Sequence, residues 1–249
     1  MNKALILAFC SFIPGLGCKT PQTQELPVQE LSVRDRLEKI RAAYAPAPCF
    51  YASFGVESIQ PGKSGQKADG TVRVDNANRR VRFYFTDSIF GITLSHMTIR
   101  DGFVYIGSPR DPVQQIPVDR FVVGGLANNS IRLPFRLFED LMYGRVPEQV
   151  FADKTHYRTE GARLFAEYED RESKSVYEFE NDRMRSVTYL HKQDRANAKA
   201  EMTGTYPRSP FPQKMELNGW IYAPPEKMIV NFQGVDMTAV CKEVQFPVN

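Results

Sequence analysis

Few residues in this chain have a type and spacing that could do chemistry. His96, His156 and His191 sit on three separate stretches, with none of the short spacings that bring two imidazoles to one metal ion. No GxSxG nucleophile turn, no glycine-rich phosphate loop and no paired CxxC is present. The densest run of carboxylates, EYEDRESKSVYEFENDR, alternates acids with Tyr and Phe. That period of two reads as the wet face of two hairpin strands rather than as an acid–base pair. The residue types therefore point away from an enzyme, and no metal or cofactor site is indicated.

The reactive side chains that remain are four cysteines, Cys10, Cys18, Cys49 and Cys241. The first lies in a leader with the order of a secretory signal: Lys3, the apolar run ALILAFCSFI, then small residues. Such a run is too short to span a bilayer, which takes about 20 apolar residues. Gly15-Leu16-Gly17-Cys18 resembles the bacterial lipobox, with Gly15 where an aliphatic residue is usual. The expectation is a signal peptide over 1–17 and an acylated Cys18 as the anchor. KTPQTQELPVQE follows, rich in Thr, Gln and Pro, and reads as an extended lipidated tether over 18–30. In an exported chain the two remaining cysteines, Cys49 and Cys241, form either a bridge clasping the two ends of the folded region or two separate buried thiols.

Those few residues must be positioned by an ordinary globular body. The 249 residues are 42% hydrophobic, 24% charged and 12% aromatic, and the formal net charge is +3. Basic residues are interleaved with acids rather than gathered in a stripe, so no nucleic-acid footprint follows. In LSVRDRLEKIRAAYAP, Ser32 is a plausible N-cap and Val33, Leu37, Ile40 and Tyr44 share one helical face before Pro46. From Cys49 the period becomes two, in FYASFGVES, GTVRVD, RRVRFYFT, GITLSHMTIR and FVYIGS, and again from RLFAEYED to KMIVNFQGV. Between the two groups PFRLFEDLMYG reads as a short helix, begun by Pro134 and ended by Gly144. About a dozen strands at hairpin spacing predict one mainly β domain over 31–249, an antiparallel sheet curled into part of a barrel.

Large, soft apolar side chains at alternate positions give that sheet an inner face. Phe54, Phe83, Phe85, Leu94, Tyr177, Phe179 and Met228 each alternate with a polar or smaller neighbour and are assigned to it. The helix face of Phe135, Phe138, Leu141 and Met142 is expected to close over it. Flexible Met and Phe linings adapt well to an alkyl guest. In TDSIFGIT, Ile89 and Phe90 have no alternating partner to bury them, so they either tuck under the helices or form an apolar tip suited to a membrane.

Three stretches carry a resemblance to the LolA/LolB family of lipoprotein-localisation proteins, and most to its LolB-like outer-membrane lipoproteins. They are RRVRFYFTDSIFGITLSHMTIRDGFVYI, LPFRLFEDLMYGRVPEQ, and FPQKMELNG followed by KMIVNFQGVDM and EVQFPVN. The resemblance implies a curved antiparallel sheet, an unclosed barrel of about eleven strands, covered by helices over an apolar acyl-binding cavity. It further implies a periplasm-facing, lipid-anchored monomer that receives lipoproteins by their acyl chains, from a periplasmic LolA-like carrier, and helps insert them. Phe90 takes the place of the family's membrane-touching apolar residue, with Ile89 beside it where proline is more usual. Lys19 is not the aspartate that marks inner-membrane retention. No catalytic residue or cofactor comes with the family. A different class of reading is an envelope lipoprotein of the same fold that binds or senses another lipid without delivering anything.

Overall fold

A computed structural model of the chain describes residues 32–59, 62, 65–123, 133–192, 196–206, 211–220 and 226–237. Cys10, Cys18 and Cys241, and with them the expected leader, anchor and tether, lie outside the described residues. Helix α1 (Val33–Ala43) precedes five strands: β1 (Cys49–Ile59), β2 (Gln66–Asp75), β3 (Arg80–Asp87), β4 (Thr93–Arg100) and β5 (Phe103–Gly107). A short β6 (Gln114–Pro117) leads into a crossing made of a 3₁₀ turn (Val118–Arg120), β7 (Val122–Val123), β8 (Leu133–Pro134), α2 (Phe135–Met142) and a second 3₁₀ turn (Glu148–Phe151). The chain then runs through β9 (His156–Glu160), β10 (Arg163–Glu169), β11 (Ser173–Glu180), β12 (Arg183–His191), β13 (Ala196–Thr203), β14 (Lys214–Trp220) and β15 (Glu226–Asp236).

Thirteen of these strands form one antiparallel sheet in the order β6-β5-β4-β3-β2-β1-β15-β14-β13-β12-β11-β10-β9, and β7 and β8 pair separately. The sheet is a meander from each side that meets in the middle, where β15 lies beside β1 with Phe232 opposite Phe54. Its edges, β6 and β9, do not pair with each other, so the barrel is unclosed. The count exceeds the expected eleven because both edges are strands. QQIP is short and ends in Pro, and HYRTE is polar on both faces, so neither showed the alternation by which strands are found. Register shifts at Ser53/Phe54, Phe85/Thr86 and Glu178/Phe179 are bulges of the kind that bend a strand and deepen its twist.

Period-two burial makes one face the core. β11 is the clearest case, with Ser173, Ser175, Tyr177 and Phe179 buried and the residues between them half-buried. Gly70 sits opposite both Phe54 and Phe85, and a Cβ there would lie 2.4 Å from the Phe54 ring. Its missing side chain lets Phe54 lie across β2, with the Phe85 and Phe232 rings edge-on at 6.1 Å each.

Helix α1 starts as its sequence suggests: Ser32 Oγ accepts from the Asp35 amide at 3.2 Å. Its inward face includes a residue that apolar periodicity does not offer, Arg36, which is 6% exposed. The Arg36 guanidinium donates to Asp182 at 2.9 Å and to the Ala162 carbonyl at 2.8 Å, so it ties α1 to the turns between β9 and β10 and between β11 and β12. The Met184 amide donates to the Tyr44 hydroxyl at 2.8 Å, fixing the C-terminal end of the helix to the same hairpin. Helix α2 ends in a Schellman arrangement: the Gly144 amide reaches Leu141 O at 3.2 Å and the Arg145 amide reaches Asp140 O at 2.8 Å. Gly144 takes φ +63° there, and a Cβ would meet the Phe211 ring at 2.7 Å. Phe211, fully buried after β13, packs tilted at 4.7 Å from the Phe50 ring and edge-on at 5.1 Å from the Phe232 ring, which joins the end of α2 to the β1–β15 seam.

Candidate functional site

The inner face gathers most of the side chains expected there. Phe54, Phe83, Tyr177 and Phe179 are buried on three strands, β1, β3 and β11, and Phe138, Leu141 and Met142 are buried on α2. Phe138 packs 6.4 Å from the Phe83 ring, so the helix lies against the sheet where expected. Phe85 and Met228 are half-buried against the same core. The side chain of Phe135 lies outside what is described. Leu94 departs from expectation, being 46% exposed. The bulge is the cause: Phe85 faces Ser95 and Thr86 faces Thr93, which leaves Leu94 as the extra residue and turns it off the inner face.

The two halves of this face differ chemically. β1 to β5 present Phe, Val, Met and Ile with Ala52, whereas β10 to β13 add to Leu164, Phe179, Met184 and Met202 the small residues Ala166, Ala198 and Ala200 and the hydroxyls of Ser173, Ser175, Tyr177 and Tyr189. Burial pushes the Tyr177 hydroxyl well above its ordinary range, against the opposing effect of Ser175 and with help from Asp140, so it stays a neutral donor. It donates to Gln149 Oε1 at 2.5 Å, and the Tyr157 hydroxyl donates to Val150 O at 2.7 Å. Together they bind the second 3₁₀ turn to the sheet. Sequence alternation placed Tyr177 inward but gave no sign of what its hydroxyl meets.

At one end of the sheet the surface is apolar. Ile89 and Phe90 are 81% and 76% exposed, with Ile92 and Leu94 beside them also exposed. Asp87 builds this tip. Its carboxylate accepts from the Ile89 and Phe90 amides at 2.9 and 2.8 Å, while its own amide donates to Ile92 O at 2.8 Å and its carbonyl accepts from Gly91 at 2.9 Å. A turn so pinned points its two large side chains outward rather than under the helices. By strand register the turn after β1, where Ile59 is exposed, and the turn before β6, where Val113 is exposed, lie at the same end.

The three histidines lie on β4, β9 and β12, and among the described residues no three His, Cys, Asp or Glu side chains converge as metal ligands. Among the described residues, no helix is long and apolar enough to cross a membrane.

No family model and no curated protein matches the sequence. Solved structures do match its architecture. A LolA superfamily protein from Nitrosomonas europaea superposes with a TM-score of 0.56 at 11% identity, covering 84% of this chain and 95% of that one. An outer membrane lipoprotein-sorting protein domain from Vibrio parahaemolyticus gives 0.60 at 10% identity over 84% and 93%. A DUF1329 family protein from Desulfovibrio piger gives 0.51 at 11% identity over 85% and 92%. At such identities the likeness is one of fold, a LolA-like unclosed sheet with few helices.

Proposed function

We propose that this protein is a lipid-anchored receptor of the outer membrane, facing the periplasm, that takes up lipoproteins by their acyl chains and passes them to the bilayer. The observation that carries the reading is the pairing of an apolar inner face with an exposed apolar tip, hydrogen-bonded to Asp87, at one end of the same sheet. Burying an alkyl chain is worth about 0.8 kcal/mol per CH₂, so a chain of a dozen carbons represents roughly 10 kcal/mol gross. A face of Phe54, Phe83, Phe85, Phe138, Met142, Phe179 and Met228 matches that chemistry. Ile89 and Phe90 at the tip would each gain about 1.5–3 kcal/mol on entering the acyl boundary. Cys18 is the proposed anchor and a LolA-like carrier the proposed donor. The fold likeness to a lipoprotein-sorting domain supports this choice among lipid-binding readings.

Native mass spectrometry of the purified full chain tests it. A co-purifying acylated peptide is the expected ligand, a free lipid would favour sensing without delivery, and turnover of added esters would favour an enzyme. The tip is tested by Phe90→Glu, which should leave folding and acyl-peptide binding intact while blocking transfer into phospholipid vesicles. Unfolding of that variant, or loss of acyl binding, would remove the tip from the mechanism.

A further inference from the structure

Among the described residues, the large apolar side chains left exposed are Ile59, Ile89, Phe90, Ile92, Leu94 and Val113, from 37% for Ile59 to 81% for Ile89. All of them lie on or beside three turns, those between β1 and β2, β3 and β4, and β5 and β6. Strand register brings the three turns to one end of the sheet: Ser58 faces Gln66, Ala68 faces Asp87, Thr86 faces Thr93 and His96 faces Gly107. Neighbouring turns are two strands apart, so they form a row about 19 Å long with about 10 Å between points, at roughly 4.8 Å per strand. The turns at the same end of the other half carry charge instead, with Asp170, Arg171 and Glu172 between β10 and β11 and Lys192 after β12.

The row stands clear of the body. A Cβ added at Gly62 or Gly91, in the first two turns, would meet no heavy atom beyond its chain neighbours within 4 Å. Its backbone is also provided for locally: Asp87 takes the Ile89 and Phe90 amides, and Ser108 Oγ accepts from the Arg110 and Asp111 amides at 3.2 and 3.1 Å. Amides already paired can leave bulk water at low cost, which is what entry into a lipid boundary requires of a turn. The charge around the row is balanced. Residues 57–67, 87–94 and 108–114 contain Glu57, Lys63, Lys67, Asp87, Arg110 and Asp111, three basic and three acidic. Lys67 is paired with Glu57 at 3.6 Å, and Asp111 accepts from the Ser108 hydroxyl at 2.7 Å. Attraction to an anionic surface takes a cluster of Lys and Arg, and this rim has none.

We propose that the three turns together are a seat for a zwitterionic phospholipid surface, in which Ile59, Ile92, Leu94 and Val113 enter the acyl boundary alongside Ile89 and Phe90. The inference rests on the reading of Ile89 and Phe90 as a membrane tip, and adds to it the two flanking turns and the charge type of the lipid. Shape selects a bilayer over a folded partner: separate apolar points about 10 Å apart, with charges between them, suit a fluid that closes around each point, whereas a protein partner would need a matching hollow for every one. Charge selects the lipid, because a rim of both signs gains from neutral headgroups what it would lose by repulsion of Glu57, Asp87 and Asp111 from anionic ones. Three points in a row also hold the β1–β6 half upright by its turn ends, which a single turn does not.

The test reconstitutes the full chain into phosphatidylcholine vesicles brominated on the acyl chains, with Ile59→Trp, Phe90→Trp or Val113→Trp as reporters and the signal of the native Trp220 as baseline. Each reporter should lose about half of its added fluorescence to bromine, and about 0.5 M salt should leave the loss unchanged. Ala77→Trp, on the exposed turn between β2 and β3 at the other end of the sheet, should lose none. Ile59→Ser with Val113→Ser, placed in the Phe90→Trp chain, should cut the quenching at position 90 by about half without moving the melting temperature. Quenching at 90 but not at 59 and 113, or no effect of the two serines, would overturn the three-turn seat and leave the single tip standing. Quenching that needs added phosphatidylglycerol, or that salt abolishes, would overturn the zwitterionic surface. Quenching at none of the three positions would overturn the seat and the tip together, while acyl uptake by the inner face, which this experiment does not read, stands or falls separately.

Discussion

Asp170 shows how much one exposed turn can rest on a single carboxylate. Its Oδ1 accepts from the Ser173 amide at 2.7 Å, the Glu172 amide at 2.9 Å and the Ser173 hydroxyl at 3.1 Å, and so holds the turn between β10 and β11. Partial burial works to raise its pKa, but these donors outweigh it and keep the carboxyl below the usual aspartate range. A folded pKa below the unfolded value of about 3.9 means that the stabilisation is fully present above that value and is lost as the pH falls through the folded pKa. Asp170→Asn should therefore melt below the wild type by a constant margin from pH 7 to about pH 5, and the margin should close below about pH 4. Thermal melts at pH 7, 5 and 3 measure it. A margin that widened in acid would assign the turn's stability to another group.

At the scale of elements, the end of α2 is the sharpest case. Gly144→Ala forces a Cβ into the left-handed region and onto Phe211, and should cost about 2–4 kcal/mol, read as a lowered denaturant midpoint. A midpoint within experimental scatter of the wild type would mean that Phe211 moves aside freely. Much of this level was legible in the sequence: Ser32 and Gly144 marked helix ends, and alternation found the long strands, because caps and periodicity are local properties. What local rules missed was set by pairing partners. Leu94 has the apolar character and spacing of an inner residue, but a bulge shared with β3 decides where it points. Arg36 lies outside the apolar face that local periodicity picks out on α1, and its partner Asp182 stands far along the chain. The apolar tip was half legible, since Ile89 and Phe90 stood out as unpaired while the Asp87 hydrogen bonds that turn them outward did not.

At the scale of the whole molecule, the sheet order brings the two ends of the folded body together. Cys49, buried at the head of β1, is disulfide-bonded, and Tyr51 on the same strand faces Asp236 near the end of β15. We infer that its partner is Cys241, a few residues beyond, and that the bond closes most of the chain into a loop worth about 5 kcal/mol in the chain-entropy model. The unreduced, denatured chain should then show no free thiol at Cys49 or Cys241 by alkylation mapping, and reduction should lower the melting temperature. Two alkylated cysteines would refute the pairing. The same β1–β15 seam also governs how the fold can assemble. Every other neighbouring pair in the sheet is consecutive in sequence and can zip up as a hairpin, whereas the seam joins strands from opposite ends and carries nearly all the cost of closing a long loop. A circular permutant that keeps α1, joins the chain after β15 to the start of α1 by a short linker and opens it within the crossing between β6 and β9 would convert the slowest contact into a local one. It should refold faster than the parent while leaving the inner face and the tip as they are, so the order in which the strands are strung is separable from the surface they build.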